Sequence, residues 1–166
     1  MANMTANVQR PVRLPAGGLT TRLLPLAGYT NFGGGSTAFT VFKGAVVACD
    51  VSDTDGYFRD GDSGVTWASG DIFGGVALEK QAVTSDNTAD GSVLVSVAVD
   101  GVWGFPKNSL AQTDVGAPVY ATDDGAVVGS SSSNTLWIGD LTEVDATYAW
   151  IDISRAAGKP NLSTFG

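Results

Sequence analysis

The residues best suited to chemistry gather first between Asp50 and Asp62. Asp50, Asp53, Asp55, Asp60 and Asp62 lie close together among glycines. Carboxylates at such spacing are what a calcium site built from hard oxygen ligands uses. The EF-hand order fails, however. With Gly56 at the sixth loop position, Val51 stands first and Asp62, not a glutamate, stands last. A solvated acidic turn is the simpler reading, and no metal ligand is assigned. Histidine is absent from the chain. That removes Ser-His-Asp and Cys-His nucleophilic constellations and most zinc sites. Cys49 is the single cysteine, so no internal disulfide forms; its place in the run Ala45–Cys49 reads as a small buried apolar residue. Ser130–Ser133 carries no G-x-S-x-G context. Glu79 and Glu143 are the only glutamates, and both read as outward-facing strand residues rather than a paired acid and base. The four tryptophans, Trp67, Trp103, Trp137 and Trp150, suit a sugar platform or, more commonly in a β domain, core and interface anchors. These residue types point away from an enzyme, and no cofactor is expected.

The elements that would position these groups are strands. The stretch Asp71–Lys107 organises the chain. Ile72–Val83 is one apolar run. Val93, Val95, Val97 and Val99 then alternate with Leu94, Ser96 and Ala98, the period of a strand with one face on a core. Asp100-Gly101 lies between two apolar runs and predicts a tight hairpin into Val102–Phe105. Phe39–Phe42 and Ala45–Val51 read as strands joined at Lys43-Gly44. Asp50–Gly70 reads mostly as turns. Pro118–Ala121 and Ala126–Val128 flank a turn at Asp123–Gly125, and Thr135–Val144 with Ala146–Ile153 forms a second hairpin around Asp145. No helix longer than one turn, near Asn108–Thr113, is predicted. The fold class is all-β, a compact β-barrel or β-sandwich. The 22 glycines follow no period of three and mark turns. At 166 residues the chain can bury roughly 70% of its unfolded surface.

Charge divides the chain in two. Met1–Ala48 carries Arg10, Arg13, Arg22 and Lys43 and no acid, a balance of +4. The remainder carries all 17 acids against five bases, a balance of −12, so the whole stands at −8. An acidic body argues against direct nucleic-acid binding, which needs clustered Lys and Arg. No apolar run approaches the ~20 residues of a membrane helix, so no membrane partner is expected, and no apolar signal core is evident at the N-terminus. Residues 1–36 contain Pro11, Pro15, Pro25, Gly17-Gly18 and Gly33–Gly35 and show no sustained period. They read as an extended N-terminal arm on a β domain spanning 37–155, followed by a short tail, 156–166. The arm's apolar residues need burial, on its own domain or on another subunit.

The order of motifs is similar to one known family. G-A-V-V-A-C-D-V (Gly44–Val51), D-G-Y (Asp55–Tyr57), D-I-F-G-G-V-A-L-E (Asp71–Glu79), V-S-V-A-V-D-G-V-W-G-F-P-K (Val95–Lys107) and D-V-G-A-P-V-Y-A-T-D-D-G (Asp114–Gly125) resemble the small head decoration, or cement, proteins of tailed bacteriophages. The resemblance covers about Thr40–Ile153 and rests on strand and turn patterns. It implies a β-tulip-like fold and a non-enzymatic protein, made in the host bacterial cytoplasm and carried on the exterior of the virion capsid. Such proteins bind the major capsid protein, commonly as homotrimers, and hold coat subunits against the pressure of packaged DNA; others of the shape form dimers or carry head fibres. On that reading Arg10, Arg13 and Arg22 of the arm pair with coat carboxylates, while Leu14, Leu23, Leu24 and Phe32 fill coat pockets. Trp103 or Trp137 anchors self-association. Deleting residues 1–36 would then leave the body folded and abolish capsid binding. Two other readings stay open: a carbohydrate-binding or adhesive β module using the tryptophans and the acidic loop, and a tail or fibre subunit that assembles head to tail.

Overall fold

The computed structural model describes residues 4–29, 37–51, 56–61, 70–131 and 135–160. Among these residues thirteen strands, numbered in chain order, form antiparallel sheets. The largest runs in the order β1 (Val12–Arg13), β9 (Val102–Pro106), β13 (Tyr148–Asp152), β12 (Leu136–Val144), β10 (Pro118–Ala121) and β11 (Val127–Val128). The second runs β2 (Thr21–Pro25), β8 (Leu94–Ala98), β6 (Ile72–Ala77), β4 (Val46–Cys49) and β5 (Arg59–Asp60). The third is the pair β3 (Phe39–Val41) and β7 (Gln81–Val83). A 3-10 turn at Gln112–Asp114 follows β9. The protein is therefore an all-β domain of packed antiparallel sheets.

The five-stranded sheet is the middle layer, and its sequence shows why. Val46 and Ala48 pack with Trp103, Phe105, Leu136, Ile138 and Ile151 of the larger sheet. Their neighbours Ala45 and Val47 pack on the other side with Phe39, Val41, Val83 and Leu26. A strand covered on both faces has no polar alternation to show, and β4 is buried at all four positions, Cys49 included. β8 is read the same way: Val95 and Val97 join one core and Ala98 the other.

Two sequence expectations change here. Asp100-Gly101 does not close a hairpin. β8 pairs with β2 and β6, whereas β9 pairs with β1 and β13, so the turn carries the chain from one sheet to the other. The run Ile72–Val83 is likewise two strands in two sheets, broken at Leu78-Glu79; Glu79 sits in that bend and accepts the Ser96 amide at 2.9 Å. The hairpin around Asp145 forms as read, with Ala149, Ile151 and Ile153 buried and Tyr148, Trp150 and Asp152 half-buried.

Glycines set the curvature of the middle and outer sheets. The β4–β6 register shifts opposite Gly74-Gly75, so Phe73 and Val76, three residues apart, enter the same core. Gly75 has φ +144, and a Cβ there would lie 2.3 Å from the Ala98 carbonyl oxygen. Gly139, beside the register shift in β10–β12, has φ +152 and would meet the Asp152 carbonyl at 2.2 Å. Neither position accepts another residue without moving a strand.

The N-terminal segment is built into this framework. β1 adds to the edge of the outer sheet, and β2 makes a five-residue ladder with β8. Between Asn7 and Pro11 the chain is a strap. The Val8 amide donates to the Lys43 carbonyl at 2.9 Å, and the Gly104 amide to the Pro11 carbonyl at 2.9 Å. Leu26 and Ala27 are fully buried. The segment packs on its own domain, and its expected lack of sheet structure is corrected. The start of the C-terminal tail also packs: Ala156 is buried and the Gly158 amide donates to the Phe73 carbonyl at 2.7 Å.

Candidate functional site

The residues singled out in the N-terminal segment separate into internal and external groups. Arg10 is internal, only 4% exposed. Its Nε donates to the Gly44 carbonyl, its Nη2 to the Gly125 carbonyl at 3.1 Å, and its guanidinium lies 4.1 Å over the Phe105 ring. Burial lowers its pKa to about 10, with Asp124 and Asp123 opposing that shift. Arg10 is a staple between strap and core, so its expected role as a coat contact is corrected. Arg13 is exposed but engaged within the chain. It bonds Glu143, and its guanidinium carbon lies 4.1 Å over the Trp150 ring, so its positive charge is already matched. Leu24 is half-buried among the residues of the second core, beside Phe58. Arg22 is exposed. Phe32, with the Gly33–Gly35 hinge, lies outside the described residues. Leu14 and Leu23 are 64% and 65% exposed, the two most exposed large apolar side chains among the described residues.

The tryptophan assignment is also corrected. Trp103 is 4% and Trp137 6% exposed, each with its indole N–H donated to a backbone carbonyl, Asp100 at 2.9 Å and Gly139 at 3.0 Å. Both are core residues with no face left for a partner. Trp67 lies outside the described residues. Trp150 is the half-exposed tryptophan, and sequence reading missed its role. It stands opposite Glu143 across β12–β13 and edge-on to Tyr148, ring centroids 6.0 Å apart. Its indole N–H donates to Asp145 Oδ2 at 2.7 Å, while Asp145 Oδ1 accepts the Thr147 and Tyr148 amides at 2.7 Å each.

Hydrogen bonds from Tyr148, Thr147 and Trp150 hold the Asp145 carboxyl below the usual range, and the Arg13 hydrogen bond does the same for Glu143. Acids with lowered folded pKa values stabilise the fold above their unfolded values of about 4, and the contribution is lost as pH falls through the folded values. Asp145→Asn is accordingly expected to flatten the acid side of the melting profile, measured by thermal unfolding between about pH 3 and pH 7. A slope below pH 4 identical to that of the unaltered chain would remove Asp145 from the account.

Asp53, Asp55 and Asp62 lie outside the described residues. Asp50 and Asp60 are buried, Asp60 beside Arg59 with 3.6 Å between the charged atoms. Among the described residues no three acids, cysteines or histidines group as metal ligands.

What remains on the surface is apolar side chains on an acidic framework. Besides Leu14 and Leu23, Leu94 is 45% exposed. Leu94 is diagonal to Leu23 on one face of the β2–β8 ladder, where Leu23 stands opposite Ser96. Its signal in the sequence was the alternation of β8 itself, which places Leu94 opposite in sense to Val95. Fold and surface together define an acidic antiparallel β domain with an exposed apolar edge. No family model, curated protein or solved structure matches this chain.

Proposed function

We propose that the protein is a non-enzymatic structural component of a virion, bound to the outer surface of a tailed-phage head, where it stabilises contacts between major capsid protein subunits. The observation that carries the reading is the exposure of Leu14 and Leu23 on an N-terminal segment paired into the sheets. Large apolar side chains held in the open by a packed framework are suited to a partner's pockets. The motif resemblance over about Thr40–Ile153 supplies the class of partner, and the acidic body suits a soluble outward face. The proposal keeps the homotrimer but not its earlier anchors, since Trp103 and Trp137 are internal. The adhesive reading is weaker on the same grounds: two of its tryptophans are buried, and Arg13 covers the Trp150 ring.

Co-sedimentation with expanded, undecorated phage heads tests the proposal. The full chain is expected to pellet at a saturating, lattice-like stoichiometry. Leu14→Asp with Leu23→Asp is expected to lose at least about 100-fold in affinity, from two lost apolar contacts of roughly 1.5–3 kcal/mol each. Both positions are exposed, so the double variant should melt with the unaltered chain. No pelleting of either form would overturn the capsid reading and direct the next assay to glycans and calcium.

A further inference from the structure

The outer edge of β2 is closed along only half its length. On the β8 side, the Val99 amide donates to the Thr20 carbonyl at 3.0 Å and the Leu26 amide to the Val93 carbonyl at 2.9 Å, both in the β2–β8 register. Even-numbered positions therefore bond β8, and Thr21, Leu23 and Pro25 turn their backbone groups away from it. At the C-terminal end of β2 that outer edge is filled. Phe58 lies parallel to Leu26; its amide donates to the Pro25 carbonyl at 2.9 Å and its carbonyl accepts the Ala27 amide at 2.8 Å. The outward amides and carbonyls of Thr21 and Leu23 have no partner among the described residues, and Thr21, Arg22 and Leu23 are all exposed. Arg22 is a second, separate observation. Arg10 is bonded to carbonyls, and Arg13, Arg59 and Arg155 lie beside Glu143, Asp60 and Asp140. Arg22 alone of the arginines makes no hydrogen bond or ion pair among the described residues, in a chain with 17 acids against nine bases.

We propose that the N-terminal half of β2 receives a short, extended, acidic segment of a partner protein as an added antiparallel strand. Thr21 and Leu23 supply the backbone donors and acceptors. Arg22, between them, falls in a non-hydrogen-bonded pair, the kind that brings opposing side chains closest, so the partner residue facing it is a glutamate or aspartate. Leu23 projects from the other face of the strand with Leu94 diagonal to it, and takes an apolar neighbour there. Backbone bonds give such an added strand its affinity, and the alternation of acid and apolar side chains selects the segment. Phe58 limits the site at one end, which keeps the added strand short. A charge placed on an edge only to repel other strands would refuse acidic and basic segments alike; the site inferred here separates them. The inference deepens the docking reading above and rests on it for the identity of the partner.

Nuclear magnetic resonance of the full chain tests the edge in two steps. In the free protein the Thr21 and Leu23 amides are expected to exchange at least about 100-fold faster than those of Arg22 and Leu24, which face β8. Equal protection would show the edge to be covered already and would overturn the proposal. The chain is then titrated with the peptide Nα-acetyl-Thr-Val-Glu-Val-Thr-amide. Saturable shifts are expected over Thr21–Leu23, with a dissociation constant on the order of 1 mM. The same peptide with lysine in place of glutamate should bind at least about fivefold more weakly. Leu23→Pro removes one outward amide at an edge position that proline tolerates, so it should melt near the unaltered chain and bind about tenfold more weakly. Arg22→Gln, which leaves the backbone edge intact, should abolish the preference for glutamate over lysine. Absence of saturable shifts, equal binding of the two peptides to the unaltered chain, or undiminished binding by Leu23→Pro would each overturn the proposal. Head pelleting is read separately: pelleting without peptide binding removes the added strand and leaves the docking reading standing.

Discussion

Removal of residues 1–36 is expected to unfold the β domain. The segment contributes the edge strand β2 and its five-residue ladder with β8, the β1 ladder with β9, and the buried side chains of Leu26 and Ala27. It also carries the Arg10 staple and the Met4 amide bonded to Asp124 Oδ1 at 2.7 Å. Loss of a buried leucine such as Leu26 alone costs about 2–5 kcal/mol. A domain of this size holds roughly 5–15 kcal/mol in total. Adding the loss of β2, which bares the β8 edge of the middle layer, and of the β1 ladder and the Arg10 staple brings the deficit to the scale of that total. The expected result is insoluble expression or a chain without a cooperative transition, by near-ultraviolet dichroism and urea titration. A soluble truncated protein melting like the full chain would show the segment to be a dispensable appendage. Capsid-binding assays on such a truncation would report loss of fold rather than loss of contact, which is why point substitutions at Leu14 and Leu23 are the informative test.

The Pro and Gly density that made this segment read as an extended arm has a different physical meaning. Proline lacks the N–H that an interior strand must donate, so within sheets it is confined to edges and strand ends. Pro11 precedes β1 and Pro25 ends β2, and both strands are sheet edges. The same composition is therefore compatible with an arm and with two edge strands, and only the partners β8 and β9 decide between them. Asp100-Gly101 shows a similar limit. The pair announced a residue with positive φ, and Gly101 has φ +94. It carried no information on whether the following strand would pair back or cross to another sheet. That is settled by β2 and β6, which occupy the two edges of β8, pairings that a single strand's period does not display.

The β12–β13 hairpin was legible because everything that fixes it is local. Its turn is held by Asp145 within five residues, and its alternation has one buried face. The surface was less legible. Nothing in the spacing of the tryptophans separates buried Trp103 and Trp137 from half-exposed Trp150. In β9, though, Trp103 and Phe105 share a face while Val102 and Gly104 lie on the other, a pattern that marks Trp103 as inward. The charge asymmetry between the two ends of the chain is real, but two of the N-terminal cations are engaged within the chain. Arg10 and Arg13 are engaged by contacts distant in sequence, to Gly125 and Glu143, which no local pattern encodes.

Arg10 is the second position where a large effect is expected, and the reason lies in its hydrogen bonds rather than its charge. Burial lowers its folded pKa to about 10, so the folded environment disfavours the charged form. The sign follows: the charge itself opposes folding at neutral pH, and that opposition eases as pH rises through 10. The stabilising contribution comes from the fork of donors that joins the carbonyls of Gly44 and Gly125 across the strap, and from the stack on Phe105. Methionine at this position would keep much of the volume and leave both carbonyls short of a donor, at a cost of about 2–4 kcal/mol. Lysine would keep the charge, but its single ammonium cannot reproduce the planar fork and is more strongly hydrated, so it should rescue little. Both variants are expected to lower the urea midpoint with the slope of the transition unchanged. Hydrogen exchange should quicken at the Val8 and Gly104 amides, which tie the strap to the domain. Stability restored to within about 0.5 kcal/mol by lysine would show that a positive charge suffices there, and the staple would have to be abandoned.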